Sequence, residues 1–171
     1  LVLNKCFDDV MLVRNEHKAK QVVEELQRET GNENCFYELV DLADLISVKA
    51  VSELILKKYH HVDVLINNAG GIFQERQLSK QAIEMHFALN HLAHFYLFKQ
   101  LLPLLKKSKT RIINVSSEAH RVANLDLNDI NVEGAYSAMK VYGNAKLCNI
   151  LFTKCIAYKC ADDGIESYSL H

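Results

Sequence analysis

Short apolar runs recur along this chain, each followed by a stretch with helical patterning, and this alternation limits the fold more than any other feature. Residues 10–13 (VMLV), 62–66 (VDVLI) and 111–115 (RIINV) are too short to form helices alone. Runs of this kind suit strands buried on both faces of a parallel sheet. Between them, apolar residues fall at helical spacing. Ala19, Val22, Val23 and Leu26 form one stripe in residues 16–30, with Gly31 as a stop. Leu45, Val48, Val51, Leu54 and Ile55 form another in residues 44–59. Residues 35–40 read as a further strand, and residues 79–105 as a long helix capped by Ser79, with Pro103 near its end. Residues 118–133 read as a polar loop, 135–160 as a helix and 165–170 as a last strand. Strand and helix in turn predict an α/β fold of parallel strands joined by right-handed crossovers.

Composition narrows the class. With 171 residues, 49% hydrophobic and 24% charged, the chain suits one globular domain with a sizeable core. A net charge of −1 gives no footprint for nucleic acid. No apolar run is long enough to span a bilayer, and no signal peptide opens the chain. The sequence starts at Leu1 rather than Met, so an anchor or targeting segment is expected only upstream. The five cysteines (Cys6, Cys35, Cys148, Cys155 and Cys160) are odd in number and irregularly spaced, which predicts buried free thiols rather than disulfides. The single proline suits long helices and leaves little room for linkers.

In open parallel sheets, ligands bind outside the carboxyl ends of the strands. Arg14, Asp41, Asn67 and Ser117 each follow a candidate strand. Tyr142 and Lys146 lie four residues apart on a candidate helix and share a face. An ammonium near a phenol favours the phenolate, which can exchange a proton with a carbonyl or alcohol oxygen. A serine hydroxyl such as that of Ser117 could bond the same oxygen as charge develops on it. Tyr136 and Lys140 have the same spacing, and spacing alone does not choose between the pairs. His86, His91 and His94 lack carboxylates at ligand spacing, so no metal site is expected. His60-His61 and the run Lys106, Lys107, Lys109 read as solvated helix ends.

Several motifs together resemble the short-chain dehydrogenase/reductase family, in its retinol-dehydrogenase-like and WW-domain-oxidoreductase-like branch. They are Asp41-Leu42, the NNAG turn at Asn67-Asn68-Ala69-Gly70, and NHLAHF from Asn90 to Phe95. NVSS at Asn114-Val115-Ser116-Ser117 and YGNAKLCNILF from Tyr142 to Phe152 complete the set. The resemblance runs from about Val10 to His171. Ala145 stands where the family usually has serine, a departure not expected to abolish chemistry.

The resemblance implies a Rossmann-like, doubly wound α/β/α fold and hydride transfer between a nicotinamide cofactor and a carbonyl or alcohol. It selects Tyr142 and Lys146 as the catalytic pair, because only Tyr142 is followed by KLCNILF. It leaves Tyr136 as a packing or substrate-side residue. Ser117 is implied to position the substrate oxygen, and Lys146 to hold the nicotinamide ribose as well. Asn90 is implied to keep a water chain to Lys146 through a break in the central helix. Asp41, Leu42, Asn68, Ala69, Gly70 and Tyr142 are implied cofactor contacts. Arg14, where NAD-preferring members tend to carry an acid, favours NADP(H) over NAD(H); a solvated arginine at a strand end is the alternative.

The family's TGxxxGIG turn is absent, and residues 1–7 (LVLNKCF) resemble the tail of the helix that follows it. The chain also stops before the family's Pro-Gly. An incomplete single domain, 1–171, lacking the first and last strands, is therefore expected. The alternative is a non-catalytic or truncated scaffold that acts as a binding or regulatory protein. The substrate expected is a small carbonyl or alcohol: a retinoid, a steroid, a lipid aldehyde or a xenobiotic. A homo-oligomer is expected only for a complete fold. The location expected is intracellular, cytoplasmic or at the endoplasmic reticulum membrane, with any membrane association made through the N-terminal side.

Overall fold

A computed structural model describes residues 8–171. Cys6 and the reading of residues 1–7 as a helix tail lie outside the described residues. Two compact units divide the chain, one ending at Leu42 and the other running from Ala43 to His171.

In the first unit, strand β1 (Asp9–Val13) pairs in parallel with β2 (Cys35–Leu39), with Asp9 opposite Cys35 and Val13 opposite Leu39. Helix α1 (Glu16–Thr30) makes the crossover. Asn15 caps its start, its side-chain oxygen accepting the Lys18 N–H at 3.0 Å. Gly31 ends it at φ 67°, a left-handed conformation that only glycine adopts cheaply, and donates to the Gln27 carbonyl. The expected burial on both faces is incomplete here. β1 is half-buried throughout, and Phe36 and Leu39 of β2 are exposed.

The second unit holds helix α2 (Leu45–Lys58), strand β3 (Val64–Asn67) and helix α3 (Met85–Phe87). A π-helical segment (Ala88–Leu92) leads directly from α3 into α4 (Ala93–Ser108). Strand β4 (Arg111–Val115), a 3-10 segment (Glu118–Val122), helix α5 (Ala138–Lys159) and strand β5 (Glu166–Leu170) follow. The sheet order is β3-β4-β5, and both pairings are parallel. Central β4 carries the fully buried Ile112; β3 lies at the edge of this sheet and leaves Val64 and Ile66 exposed.

The core gathers Val48, Val51 and Ile55 from α2, Leu97, Leu101, Leu104 and Leu105 from α4, and Phe152 and Ile156 from α5. Each such side chain contributes roughly 1.5–3 kcal/mol on burial. Asp44 caps α2 and receives Lys80 Nζ at 2.7 Å and Gln81 Nε2 at 2.9 Å, which tie α2 to the 78–84 turn. Pro103 sits well inside α4, where its missing N–H leaves the Lys99 carbonyl without a helical donor.

The expected helix start at Ser79 is not observed. Residues 78–84 form a turn closed by a bridge between Leu78 and Glu84, with Ala82 at φ 57°. The helix begins at Met85, because the Glu84 carboxylate accepts the Phe87 N–H and supplies the cap. The 118–133 loop contains the short 3-10 segment. Of the cysteines, Cys35, Cys148 and Cys160 are buried and free as expected, whereas Cys155 is free but exposed. Among the described residues no helix is long and apolar enough to cross a membrane.

Candidate active site

The carboxyl ends of β3 and β4, the π segment and α5 meet around a set of buried asparagines. Asn67 and Asn114 are register partners at the ends of β3 and β4. Asn67 Nδ2 donates to Asn114 Oδ1 at 2.8 Å, and Asn114 Nδ2 donates to Thr153 Oγ1 on α5 at 2.9 Å. One turn earlier on α5, Asn149 Nδ2 donates to the carbonyls of Asn90 (2.9 Å) and Val115 (3.2 Å). Asn149 Oδ1 faces His91 Nδ1 at 2.9 Å, which places the ring proton of His91 on Nδ1. These bonds fix both strand ends against the helix that carries Tyr142 and Lys146.

Asn90 is fully buried in the π segment, so the central helix is broken where the sequence motif lies. Its side chain grips the turn after β3: Nδ2 donates to the Gly71 carbonyl at 2.9 Å, and Oδ1 accepts the Gly71 N–H at 2.7 Å. Gly70 has no room for a side chain, since a Cβ there would enter the Asn90 amide. Asn68 and Gly70 are exposed, and Ala69 is half-buried.

Tyr142 is half-buried on α5, and Lys146 follows one turn later, 4% exposed. The Lys146 ammonium lies 5.5 Å from the centroid of the Tyr142 ring, within cation–π range. It donates to the Val115 carbonyl at 2.9 Å and forms no ion pair with a carboxylate among the described residues. Burial holds its pKa below the usual lysine value. Ser117 ends the β4 turn in extended conformation and accepts the Ala119 N–H at 3.2 Å, which leaves its hydroxyl hydrogen free to donate. The 3-10 segment lies close against α5 at Gly143, where a Cβ would meet the Ala119 carbonyl.

The rival pair is arranged differently. Tyr136 precedes α5 and Lys140 is exposed on it, so the two do not form a buried helical pair. The Tyr136 hydroxyl instead donates to Glu84 Oε1 at 3.1 Å and lies 3.0 Å from His86 Nδ1. Burial and the Glu84 carboxylate push the phenol well above its usual pKa. Glu84 and His86 are both fully buried, with Oε1 and Nδ1 2.9 Å apart. Burial alone would raise the Glu84 carboxyl, but bonds from His86 and the Phe87 N–H outweigh it and hold the group below its ordinary value. Sequence reasoning missed Glu84, His86 and Asn149 as site-forming residues.

Arg14 and Asp41 stand after β1 and β2 in the first unit, Arg14 exposed, Asp41 half-buried and Leu42 buried. His94, on α4, is 3% exposed, and neither ring nitrogen has a hydrogen-bond partner among the described residues. His86 bonds to Phe73, Glu84 and Tyr136, and His91 to Asn149, so the histidines of the central helix have different hydrogen-bond partners.

The family model for short chain dehydrogenases matches residues 3–171. The chain belongs to the short-chain dehydrogenase family. It is 38% identical over 159 residues to human retinol dehydrogenase 11, covering 92% of this chain and 50% of that protein. It is 36% identical over 170 residues to the WW domain-containing oxidoreductase of Drosophila melanogaster, covering 95% and 41%. The chain therefore spans half the length or less of these relatives. Among solved structures it resembles sorbitol-6-phosphate 2-dehydrogenase from Erwinia amylovora, with a TM-score of 0.73 at 20% identity, covering 96% of this chain and 61% of that one. An alcohol dehydrogenase from Thermococcus sibiricus, complexed with 5-hydroxy-NADP, gives 0.70 at 21% identity, covering 95% and 63%. At these identities the likeness shows the fold alone: a Rossmann-like α/β arrangement of parallel strands, less complete here than in those chains. The family is one of oxidoreductases that bind NAD(P).

Proposed function

We propose that this protein transfers a hydride between NADP(H) and a carbonyl or alcohol substrate, with Tyr142 as the general acid and base. The observation that carries the reading is the buried Lys146 ammonium beside the Tyr142 ring, on a helix tied to the ends of β3 and β4.

The residues present fit a nicotinamide nucleotide. Asn68 and Gly70 are exposed after the carboxyl end of a parallel strand, where ligands of such sheets bind, and the absence of a side chain at Gly70 lets the Asn90 amide pack against this turn. Lys146 has three donors and spends one on Val115, which leaves others for ribose hydroxyls. In the second unit Asn68, Ala69, Gly70 and Lys146 would hold the nucleotide; for Asp41 and Leu42 as adenine contacts and Arg14 as a 2′-phosphate contact, the support is the family resemblance alone. When bound, the nicotinamide supplies or accepts the hydride.

In reduction, Tyr142 gives its hydroxyl proton to the carbonyl oxygen; in oxidation it takes the proton from the alcohol. Lys146 stabilises the negative charge left on the tyrosine oxygen. Ser117 directs its free hydroxyl hydrogen at the substrate oxygen as charge grows there. Asn90 holds the π segment and the 70–71 turn in place and keeps water near Lys146. A retinoid, steroid, lipid aldehyde or xenobiotic carbonyl is the substrate class this reading supports.

Titration of the chain with NADPH and with NADH, followed by nucleotide fluorescence, tests the reading. Saturable binding, tighter for NADPH, is expected. A folded chain that binds neither nucleotide supports the alternative, a scaffold without catalysis.

A further inference from the structure

A second set of buried polar groups lies against the Tyr142 ring and has no part in the mechanism above. His86 Nε2 accepts the Phe73 N–H at 2.9 Å, which puts the ring proton on Nδ1. That proton faces Glu84 Oε1 at 2.9 Å and the Tyr136 oxygen at 3.0 Å. The Tyr136 hydroxyl donates to the same Glu84 oxygen, and Glu84 Oε2 accepts the Phe87 N–H. Each bond has a definite donor and acceptor, so the imidazole cannot rotate without stranding a buried group, at a cost of roughly 1–3 kcal/mol.

The aromatic contacts give this locked ring a target. The ring of His86 meets Tyr142 edge-on, with centroids 6.0 Å apart and planes at 66°. Phe73 packs on it at 5.2 Å and 68°, and Tyr136 stacks at 6.3 Å and 29°. His86 also stands four residues before Asn90, and both hold the turn after β3: Asn90 at Gly71 and His86 at Phe73.

The geometry points to His86, locked by Glu84 and Tyr136, as a positioning residue that sets the Tyr142 ring relative to the 70–73 turn. The inference rests on the oxidoreductase reading for its consequence in catalysis, but not for the coupling itself. Tyr136 is then no spare catalytic tyrosine. It anchors the start of α5 to the start of the central helix.

The test uses isotope-labelled chain and two conservative variants, Tyr136→Phe and His86→Gln. The glutamine can still accept the Phe73 N–H. Long-range nitrogen NMR at neutral pH reads the His86 tautomer, ring carbon–proton signals read Tyr142, and NADPH titration reads the nucleotide site. The expected result is an Nδ1–H tautomer at His86 in the parent and displaced Tyr142 signals in both variants, with NADPH affinity changed less than about threefold. Turnover of a simple aldehyde should fall about tenfold in kcat with KM held, and the double variant should be no worse than the poorer single one. Lys140→Ala, exposed on α5, should leave every readout unchanged. An Nε2–H tautomer, or Tyr142 signals that stay put in both variants, overturns the inference. So does unchanged kcat in folded variants of an active parent. A parent that neither binds nucleotide nor turns over overturns the oxidoreductase reading instead, while the tautomer and ring signals still decide the coupling.

Discussion

Asn149 on α5 and Asn90 in the π segment are joined by a 2.9 Å hydrogen bond from the side-chain amide of the first to the main-chain carbonyl of the second. A π segment leaves carbonyls out of the regular helical ladder, and here one is met by a side chain from a different element. The same amide reaches the Val115 carbonyl, which also receives the Lys146 ammonium.

Replacing Asn149 with leucine should therefore be costly for its size. It strands the His91 Nδ1–H and withdraws a donor from two carbonyls. A loss of about 2–4 kcal/mol is expected in urea unfolding, with the slope of the transition unchanged.

Gly143 and Gly134 should respond oppositely to alanine. Alanine at 143 drives a Cβ into the Ala119 carbonyl and displaces the segment that follows Ser117, for a loss of about 1–3 kcal/mol. Alanine at 134 meets nothing within 4 Å and should be neutral or gain a few tenths of a kcal/mol. Thermal unfolding of the two variants checks the contrast.

Tyr142→Phe should abolish turnover, by about a thousandfold or more, and leave NADPH affinity largely intact. Tyr136→Phe should cost about tenfold. Steady-state kinetics with nucleotide titration reads both. The reverse order would show that the proton passes through Tyr136.

His94 should make the fold acid-sensitive. Burial, followed by the Lys146 ammonium and His91, lowers its pKa to about 4 from 6.5. The unfolded chain takes up a proton below about pH 6.5 that the folded chain refuses until about pH 4, so stability is full above that window and falls through it. The loss is on the order of 3 kcal/mol. Chemical unfolding at a series of pH values should show this slope, and His94→Leu should flatten it.

Lys109 closes α4 in the left-handed region, at φ 52°. Lys109→Gly should remove strain at this cap and add roughly 0.5–1 kcal/mol, read as a raised Tm.

The sequence carried the order of elements because apolar runs and helical stripes depend on local spacing alone. Spacing left Tyr142 with Lys146 and Tyr136 with Lys140 on equal terms, and only the KLCNILF continuation of the family resemblance singled out the first pair. The start of the central helix was not legible. Ser79 looked like a cap, yet it is buried in a turn, and the cap is the Glu84 carboxylate. Glu84 and His86 are two residues apart across a helix start, and Tyr136 comes from a loop fifty residues later than His86. No spacing rule joins such residues; the fold does. Strand burial was overestimated in β1 and β3 because an apolar run does not reveal whether a strand lies at the edge of its sheet.

The π segment has a further consequence, at the level of the gene. Such a turn amounts to one extra residue in a helix, and each residue turns a regular helix by about 100°. Loss of a single codon between Ala88 and Leu92 that spares Asn90 can be absorbed by closing the π turn into a regular helix, which keeps Leu97, Leu101 and Leu105 on the face that fills the core. A codon lost from the regular turns of α4 has no such slack and turns the residues on either side of it by about 100° against each other. Deletions that preserve the reading frame should therefore be tolerated in the π segment and not in the helix that follows it.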